Sequence, residues 1–411
     1  MSAAKPDLVM FTGTFPHGGE AVLGGEIAVT AARFERVFVI PSRPGPETAA
    51  LPSNVELVHL WEGERTRAAK RSALRSVLAL EILRRTLRHP SNWRPYAASA
   101  RFYLDVLAEG LVRARALRAW VEENRLGDAV FYDFWFENST LALAALRRLG
   151  VIRCAVSRAH GFDVFDSRWG GKGRVPFREF KAENLDAVFA VSEDGARYLR
   201  GRFGSEAGKV RLARLGIPAS PSFPEGAADP PLVVSCSALR PDKRVRAIPE
   251  VLRACERPLR WVHLGDGPER RGVEEAAATL PASVSWELRG TIDNAAVRRF
   301  YATEPVSAFL SLSRAEGVPV SMMEAQSAGI PIVALSVGGV PEIVTPETGV
   351  PLPPDAGAGA VAAALGRAVE PASFDRERIR AAFAARYEAS ANYGEFAEAV
   401  LEIWSENVVA G

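Results

Sequence analysis

Glu316 and Glu324 stand with seven residues between them in the stretch Ser313 to Val344, SRAEGVPVSMMEAQSAGIPIVALSVGGVPEIV. Two carboxylates so spaced around a helix start can do two different jobs. Backbone N–H groups at Gly317 and Val318 would face an anion such as a diphosphate, with Glu316 beside them. Glu324, inside the helix, could accept two hydrogen bonds from a vicinal diol such as ribose. The structural alternative is a pair of solvated glutamates, one of them offsetting the helix macrodipole. Upstream, Arg240, Lys243 and Arg244 cluster in SCSALRPDKR. Three cations together would bind a diphosphate and stabilise a departing phosphate. His160 closes an apolar run in VIRCAVSRAHGFD, where it could serve a site or simply pack.

Elements must carry these groups to one edge. The run SAFLSLS (Ser307 to Ser313) predicts a buried parallel strand leading to Glu316. Pro319 suits the first helical turn, Gly329 a C-terminal cap and Pro331 a stop, after which PIVAL predicts a strand and Gly338-Gly339 a turn. LVVSCSAL (Leu232 to Leu239) predicts the strand that delivers the cations, and Val151 to His160 one that ends at the histidine. Ligands of open α/β sheets bind at the carboxyl ends of strands, so all three groups fall on ligand edges. Further strand patterns at Leu8 to Thr14, Arg36 to Pro41, Val55 to Leu60, Ala129 to Trp135, Ala187 to Ser192 and Val210 to Ile217 build a first α/β domain. Beyond Val350 the pattern is helical to the end, with Tyr393, Phe396, Val400 and Trp404 on a last helix.

A chain of 411 residues implies two domains. The run Pro218 to Pro231 is the linker, which divides the chain into 1–217, 218–231, 232–385 and a last segment, 386–411. The loop after the first strand holds Gly18 and Gly19, suited to a phosphate or an acceptor, with Glu20 and Glu26 read as loop solvation or acceptor contacts. It lacks Gly-x-Gly-x-x-Gly, the turn at Gly265 ends in Arg270, and WGGKGR (Trp169 to Arg174) lacks the Ser or Thr of a nucleotide phosphate loop. A dinucleotide oxidoreductase and a P-loop nucleotidase are thereby disfavoured. Cys154, Cys236 and Cys255 are odd in number and follow no metal-ligand pattern, which fits a reducing cytoplasm and small apolar packing. No run of about 20 apolar residues spans a membrane, and the first apolar run is too short for a signal peptide.

Charge is near balance at +2, but residues 64–125 hold fourteen Lys or Arg against six Asp or Glu. Leu74, Val77, Leu78, Ile82, Leu83 and Leu87 recur among them at helical spacing, with Trp93 and Tyr96 following. Such a surface either rests on anionic lipid headgroups, as a peripheral contact at the inner membrane face, or is a solubilising face over ordinary core. No nucleic-acid motif accompanies the charge.

The segment from Glu316 to Glu342 resembles the Glu-x7-Glu signature of the retaining glycosyltransferases of family 4, and motif order extends the resemblance over nearly the whole chain. The resemblance implies α/β architecture with two Rossmann-like domains facing across a cleft, the GT-B fold, and a C-terminal helix that crosses back to the first domain. It implies transfer of a sugar from a UDP- or GDP-sugar to a glycan or lipid-linked acceptor in cell-surface polysaccharide synthesis, with no cofactor. Glu316 would hold the sugar or stabilise its developing charge, His160 would contact the donor sugar, and Asn294 would lie where the base is read. The family's basic pair is an Arg and a Lys five positions apart. Lys243 fits, but Ala238 occupies the other place and Arg240 is the nearby substitute. No Asp-x-Asp pair exists to bridge a metal, so fixed cations would serve instead. A sugar-nucleotide epimerase or phosphorylase of the same fold, and a silent partner subunit, are the rival readings.

Overall fold

The computed structural model describes all residues except 1–4, 17–20, 46–50, 62–65, 168, 170–172, 225, 227 and 410–411. The chain divides into two compact units, Met1–Arg214 with Tyr393–Gly411, and Leu215–Asn392.

In the first unit, short apolar runs form seven parallel strands: β1 (Leu8–Phe15), β2 (Val37–Pro44), β3 (Val55–Leu57), β4 (Val130–Asp133), β5 (Cys154–Ala159), β6 (Ala187–Ala190) and β7 (Val210–Leu212). Their order is β3-β2-β1-β4-β5-β6-β7. Every residue of β4, β5 and β6 is buried, Asp133, Ser157 and Arg158 included, as in a parallel sheet covered on both faces. The strand order reverses between β1 and β4, which makes the carboxyl ends of those two strands the switch point of the sheet.

The helix Ala100–Asn124 packs on the helix Asn138–Arg148, and an aromatic cluster forms beside them. Tyr96 stacks on Tyr103 with ring centroids 3.7 Å apart and its hydroxyl accepts the Phe177 N–H at 2.7 Å. Tyr96 is therefore core, not the rim of a lipid-facing surface. Glu26 also departs from expectation. It is fully buried in the helix Ala21–Ala31, 3.4 Å from the guanidinium of Arg158, which is likewise fully buried. That guanidinium lies 4.1 Å from the ring centroid of Phe396, on the helix Ala389–Trp404, and the same ring meets Tyr132 and Phe189.

In the second unit six parallel strands, β8 (Leu232–Cys236), β9 (Leu259–Leu264), β10 (Val284–Leu288), β11 (Val306–Ser311), β12 (Ile332–Leu335) and β13 (Gly349–Leu352), run in the order β10-β9-β8-β11-β12-β13. Here β8 and β11 flank the reversal. The expected helical run past Val350 is corrected by β13. Pro351 is tolerated because β13 is an edge strand, and a Cβ on Gly349 would stand 2.0 Å from the Ile332 carbonyl oxygen. A four-residue strand punctuated by Gly and Pro carries no period-two signal.

Candidate functional site

The switch point of the second sheet delivers the predicted groups from both sides. The chain leaving β8 turns through Pro241–Lys243, and the chain leaving β11 runs through Arg314 to Gly317. The Arg314 N–H donates to the Asp242 carbonyl at 2.9 Å and so ties the two loops together. Across them the Lys243 ammonium donates to Glu316 Oε1 at 2.6 Å, a short charge-assisted contact. The lysine side chain is 18% exposed and the glutamate 11%, so the pair is half-enclosed yet reachable from solvent. Arg240 is turned aside, its guanidinium forked onto Asp242 at 3.0 and 2.8 Å and 55% exposed. Arg244 adopts a left-handed backbone, φ 52°, directly after the turn.

Glycines shape the rim. A Cβ on Gly338 would stand 2.0 Å from the Glu316 carbonyl oxygen, and one on Gly339 would stand 2.2 Å from that of Gly317. The Gly339 N–H donates to that Gly317 oxygen at 3.0 Å, so the second loop lies on the first with no side chain between them. Val318 and Gly317 then lead into the helix Val320–Ser327, which starts one residue beyond Pro319. The proline carbonyl accepts the Met322 N–H at 3.0 Å. Gly329, at φ 70°, ends the turn that follows the helix.

One helical face further in, Glu324 is 2% exposed. Its Oε1 accepts from the Asn294 amide at 3.3 Å and lies 3.9 Å from Arg298. Burial pushes its carboxyl up to about 7, with Asn294 and then Arg298 opposing the rise. Asn294 and Arg298 are one turn apart on the helix Asn294–Thr303, whose N-cap is Asp293. The sequence reading named Asn294 and missed Arg298, although the i, i+4 spacing places both on one face.

His160 belongs to the first unit, at the carboxyl end of β5, and is 8% exposed. Its ring packs on Trp135 and Phe134 at centroid distances of 4.3 and 4.8 Å. Both ring nitrogens lack a hydrogen-bond partner among the described residues. Burial, and then the nearby Arg158 charge, hold the imidazole well below its usual range, so it is neutral at pH 7. Both nitrogens are buried, with Nδ1 3.9 Å from Asp163 Oδ2, and a neutral imidazole carries one N–H donor and one acceptor nitrogen.

Behind it, Asp163 accepts the His160 and Phe136 N–H groups at 2.5 and 2.8 Å, locking the β4 and β5 loops together. Burial raises that carboxyl to about 8. Buried Lys181 donates to the Phe136 carbonyl at 2.8 Å, and desolvation depresses its ammonium to about 7. Asp163 was visible in the motif, whereas Lys181 comes from a distant helix with no local signal. Gly18 and Gly19 lie outside the described residues.

Two units of this topology define the GT-B fold. Residues 231–370 match the family described as Glycosyl transferases group 1. The chain is 27% identical over 241 residues to WcaL of Escherichia coli K12, a protein named for glycosyl transfer in colanic acid biosynthesis, covering 56% of this chain and 59% of that one. It is 28% identical over 252 residues to EpsF of Bacillus subtilis 168, named as a glycosyltransferase, covering 56% and 64%. The chain thus spans less than two thirds of the length of these two curated relatives.

Among solved structures it resembles the lipopolysaccharide outer core galactosyltransferase WaaB, with TM-score 0.65, 15% identity and 96% and 99% of the two chains covered. It also resembles sucrose-phosphate synthase from Thermosynechococcus elongatus, with TM-score 0.69, 17% identity and 98% and 100% covered. The Anabaena protein HepE in complex with UDP gives TM-score 0.62 at 15% identity, with 96% and 99% covered. At these identities the structural likeness is one of fold.

Proposed function

We propose that this chain is a retaining glycosyltransferase of family 4 type. In this reading it moves a sugar from a nucleoside diphosphate donor to a glycan or lipid-linked acceptor in cell-surface polysaccharide synthesis. The observation that carries the reading is the Lys243–Glu316 pair, 2.6 Å apart at the switch point of the second sheet. The match over 231–370, the names of WcaL and WaaB, and the UDP held by HepE support the same reading.

In this mechanism the donor diphosphate takes over the Lys243 ammonium, and the N–H groups at Gly317 and Val318 complete its cradle. Loss of its lysine partner frees Glu316 for the sugar hydroxyls or the developing positive charge. Glu324 takes the ribose diol, with Asn294 and Arg298 holding its carboxylate. Arg240 leaves Asp242 for the diphosphate or stays exposed, and Arg244 remains a further cation at the same loop. His160, neutral, orients a sugar hydroxyl. The bond from the anomeric carbon to the diphosphate oxygen breaks, and the acceptor oxygen bonds to the same face of the sugar. The acceptor proton passes to the departing phosphate oxygen, which leaves a glycoside and a nucleoside diphosphate. Fixed cations serve where other transferases use a metal.

The peripheral contact also belongs to this reading. Val77 and Leu80 are 84% and 57% exposed, and Trp93 is exposed as well. Arg71, Arg75, Arg84 and Arg88 have no acidic partner among the described residues, and no described helix is long and apolar enough to cross a membrane. An anionic inner leaflet satisfies both the charge and the apolar side chains.

The test is a panel of UDP-, GDP- and ADP-sugars scored for binding and for slow donor hydrolysis. Glu316→Gln should bind the cognate donor and lose at least a hundredfold in turnover. Unimpaired turnover in that variant would sink the assignment, and conversion of the donor, without an acceptor, to an isomeric nucleotide sugar would move it to an epimerase.

A further inference from the structure

Behind the Arg-rich face lies a crevice that the transfer reaction does not use. It encloses about 310 Å3. Leu111 of the helix Ala100–Asn124 forms part of its floor, Leu146 and Leu149 one wall, and Ala69, Ala73 and Leu78 another. Leu149 is 52% exposed. Arg115 and Arg118 also line it, and both are exposed. Arg118 pairs with Glu122, but Arg115 has no acidic partner among the described residues. Arg71 and Arg75, beside the lining residues Ser72, Ala73 and Ser76, have none either.

Position separates this crevice from the transfer chemistry. The helix Asn138–Arg148 begins at the carboxyl end of β4, and Leu146 and Leu149 lie at its other end. At 1.5 Å per residue they stand roughly 12–17 Å down the helix from that ligand edge. An apolar slot with unpaired arginines around it matches a molecule with a hydrocarbon chain and an anionic head.

We propose that this crevice seats one hydrocarbon chain of an anionic membrane phospholipid, whose phosphate meets Arg115 and the arginines beside the slot. The proposal rests on the membrane-contact reading above and is independent of donor chemistry. It adds depth to that contact. Val77 and Leu80 touch the surface of the leaflet, while one lipid chain is drawn into the protein, which gives a fixed orientation that surface charge alone does not impose.

The experiment uses the full chain and vesicles of phosphatidylcholine with about one third phosphatidylglycerol, a small fraction of the latter bearing a photoreactive diazirine at one chain end. After illumination, peptide mass spectrometry should place adducts on the segments of Leu78, Leu111 and Leu146. The double variant Ala69→Phe, Ser72→Phe, which fills the slot from its wall, should lose those adducts at least tenfold while keeping adducts at Val77 and Leu80. Leu149→Asp, at an exposed position, is a second variant expected to weaken them should the first misfold by circular dichroism.

Adducts confined to Val77, Leu80 and Trp93 in the unaltered chain would overturn the seat and leave the surface contact standing. Absence of vesicle binding at low salt would overturn both. Protein–protein crosslinks at Leu149 in place of lipid adducts would assign the slot to a second copy and overturn the lipid. Donor hydrolysis, measured in parallel, reports the transfer reading separately.

Discussion

Glu324 carries its own pH signature. Its carboxyl is raised to about 7 by burial, so between the unfolded value of 4.5 and 7 the folded chain holds a proton that the unfolded chain has released. Stability therefore falls as pH rises through this window, by at most about 3 kcal/mol for a shift of this size. Glu324→Gln removes the effect. Its melting temperature should exceed that of the parent at pH 8 and match it near pH 4.5, as differential scanning fluorimetry will show. The same ionisation favours a ribose diol, since only the carboxylate offers both oxygens as acceptors. Nucleotide affinity should thus tighten from pH 6 to 8 in the parent and stay flat in the variant. A calorimetric titration giving equal pH slopes for both would remove Glu324 from the ribose site.

Gly339 makes a sharper case. An alanine there places a carbon 2.2 Å from the Gly317 oxygen, so the Glu316 loop must shift. Gly339→Ala should cost about 1–3 kcal/mol in urea unfolding and at least tenfold in donor affinity. Gly208→Ala, where a Cβ meets nothing within 4 Å, is the control.

Among the elements, the helix Ala389–Trp404 packs over the Arg158–Glu26 pair, which is expected to help hold it on the first sheet. Both side chains are fully buried, and the guanidinium covers Phe396. Breaking such a pair leaves an uncompensated charge in the core, whereas removing both partners does not. Arg158→Met should lose about 3–5 kcal/mol, and the double variant with Glu26→Gln should recover most of it in the same urea titration. Hydrogen exchange in 393–404 should accelerate in the single variant only. Equal exchange in both would mean that the pair is incidental to the docking of the helix.

The apolar stripe of residues 74–87 splits at this scale too. Leu74, Leu78, Ile82 and Leu83 join the aromatic cluster, while Val77, Leu80 and Leu87 remain exposed. Part of the stripe is therefore ordinary core and part stands exposed, because periodicity locates a face without saying how far round the helix the core reaches.

For the whole molecule, balanced net charge conceals a basic face whose arginines outnumber their acidic partners. If that face meets an anionic leaflet, binding to vesicles with one third phosphatidylglycerol should fall steeply with added salt. Arg84→Gln with Arg88→Gln should weaken it by about 2 kcal/mol, roughly thirtyfold. Salt-independent binding in a flotation assay would rule out the electrostatic contact.

Two α/β units and most of their strands were legible in the sequence alone, as were the strand ends that lead to Lys243 and Glu316 in the second unit and to His160 in the first. Those features follow from local signals: apolar runs buried on both faces, prolines and glycines that end elements, and loops that must follow strands. What the fold alone brought about is that Lys243 reaches Glu316, that Arg240 is bound to Asp242, that Arg298 joins Asn294 at Glu324, and that Lys181 stands behind His160. Each joins residues delivered by different loops or helices, or depends on which of several rotamers a long side chain adopts. β13 escaped because its four residues include a glycine and a proline, and its identity depends on pairing with β12. The Glu26–Arg158 pair escaped because burial of a charge is set by what packs over it, and here that cover is a helix more than 200 residues downstream in the chain.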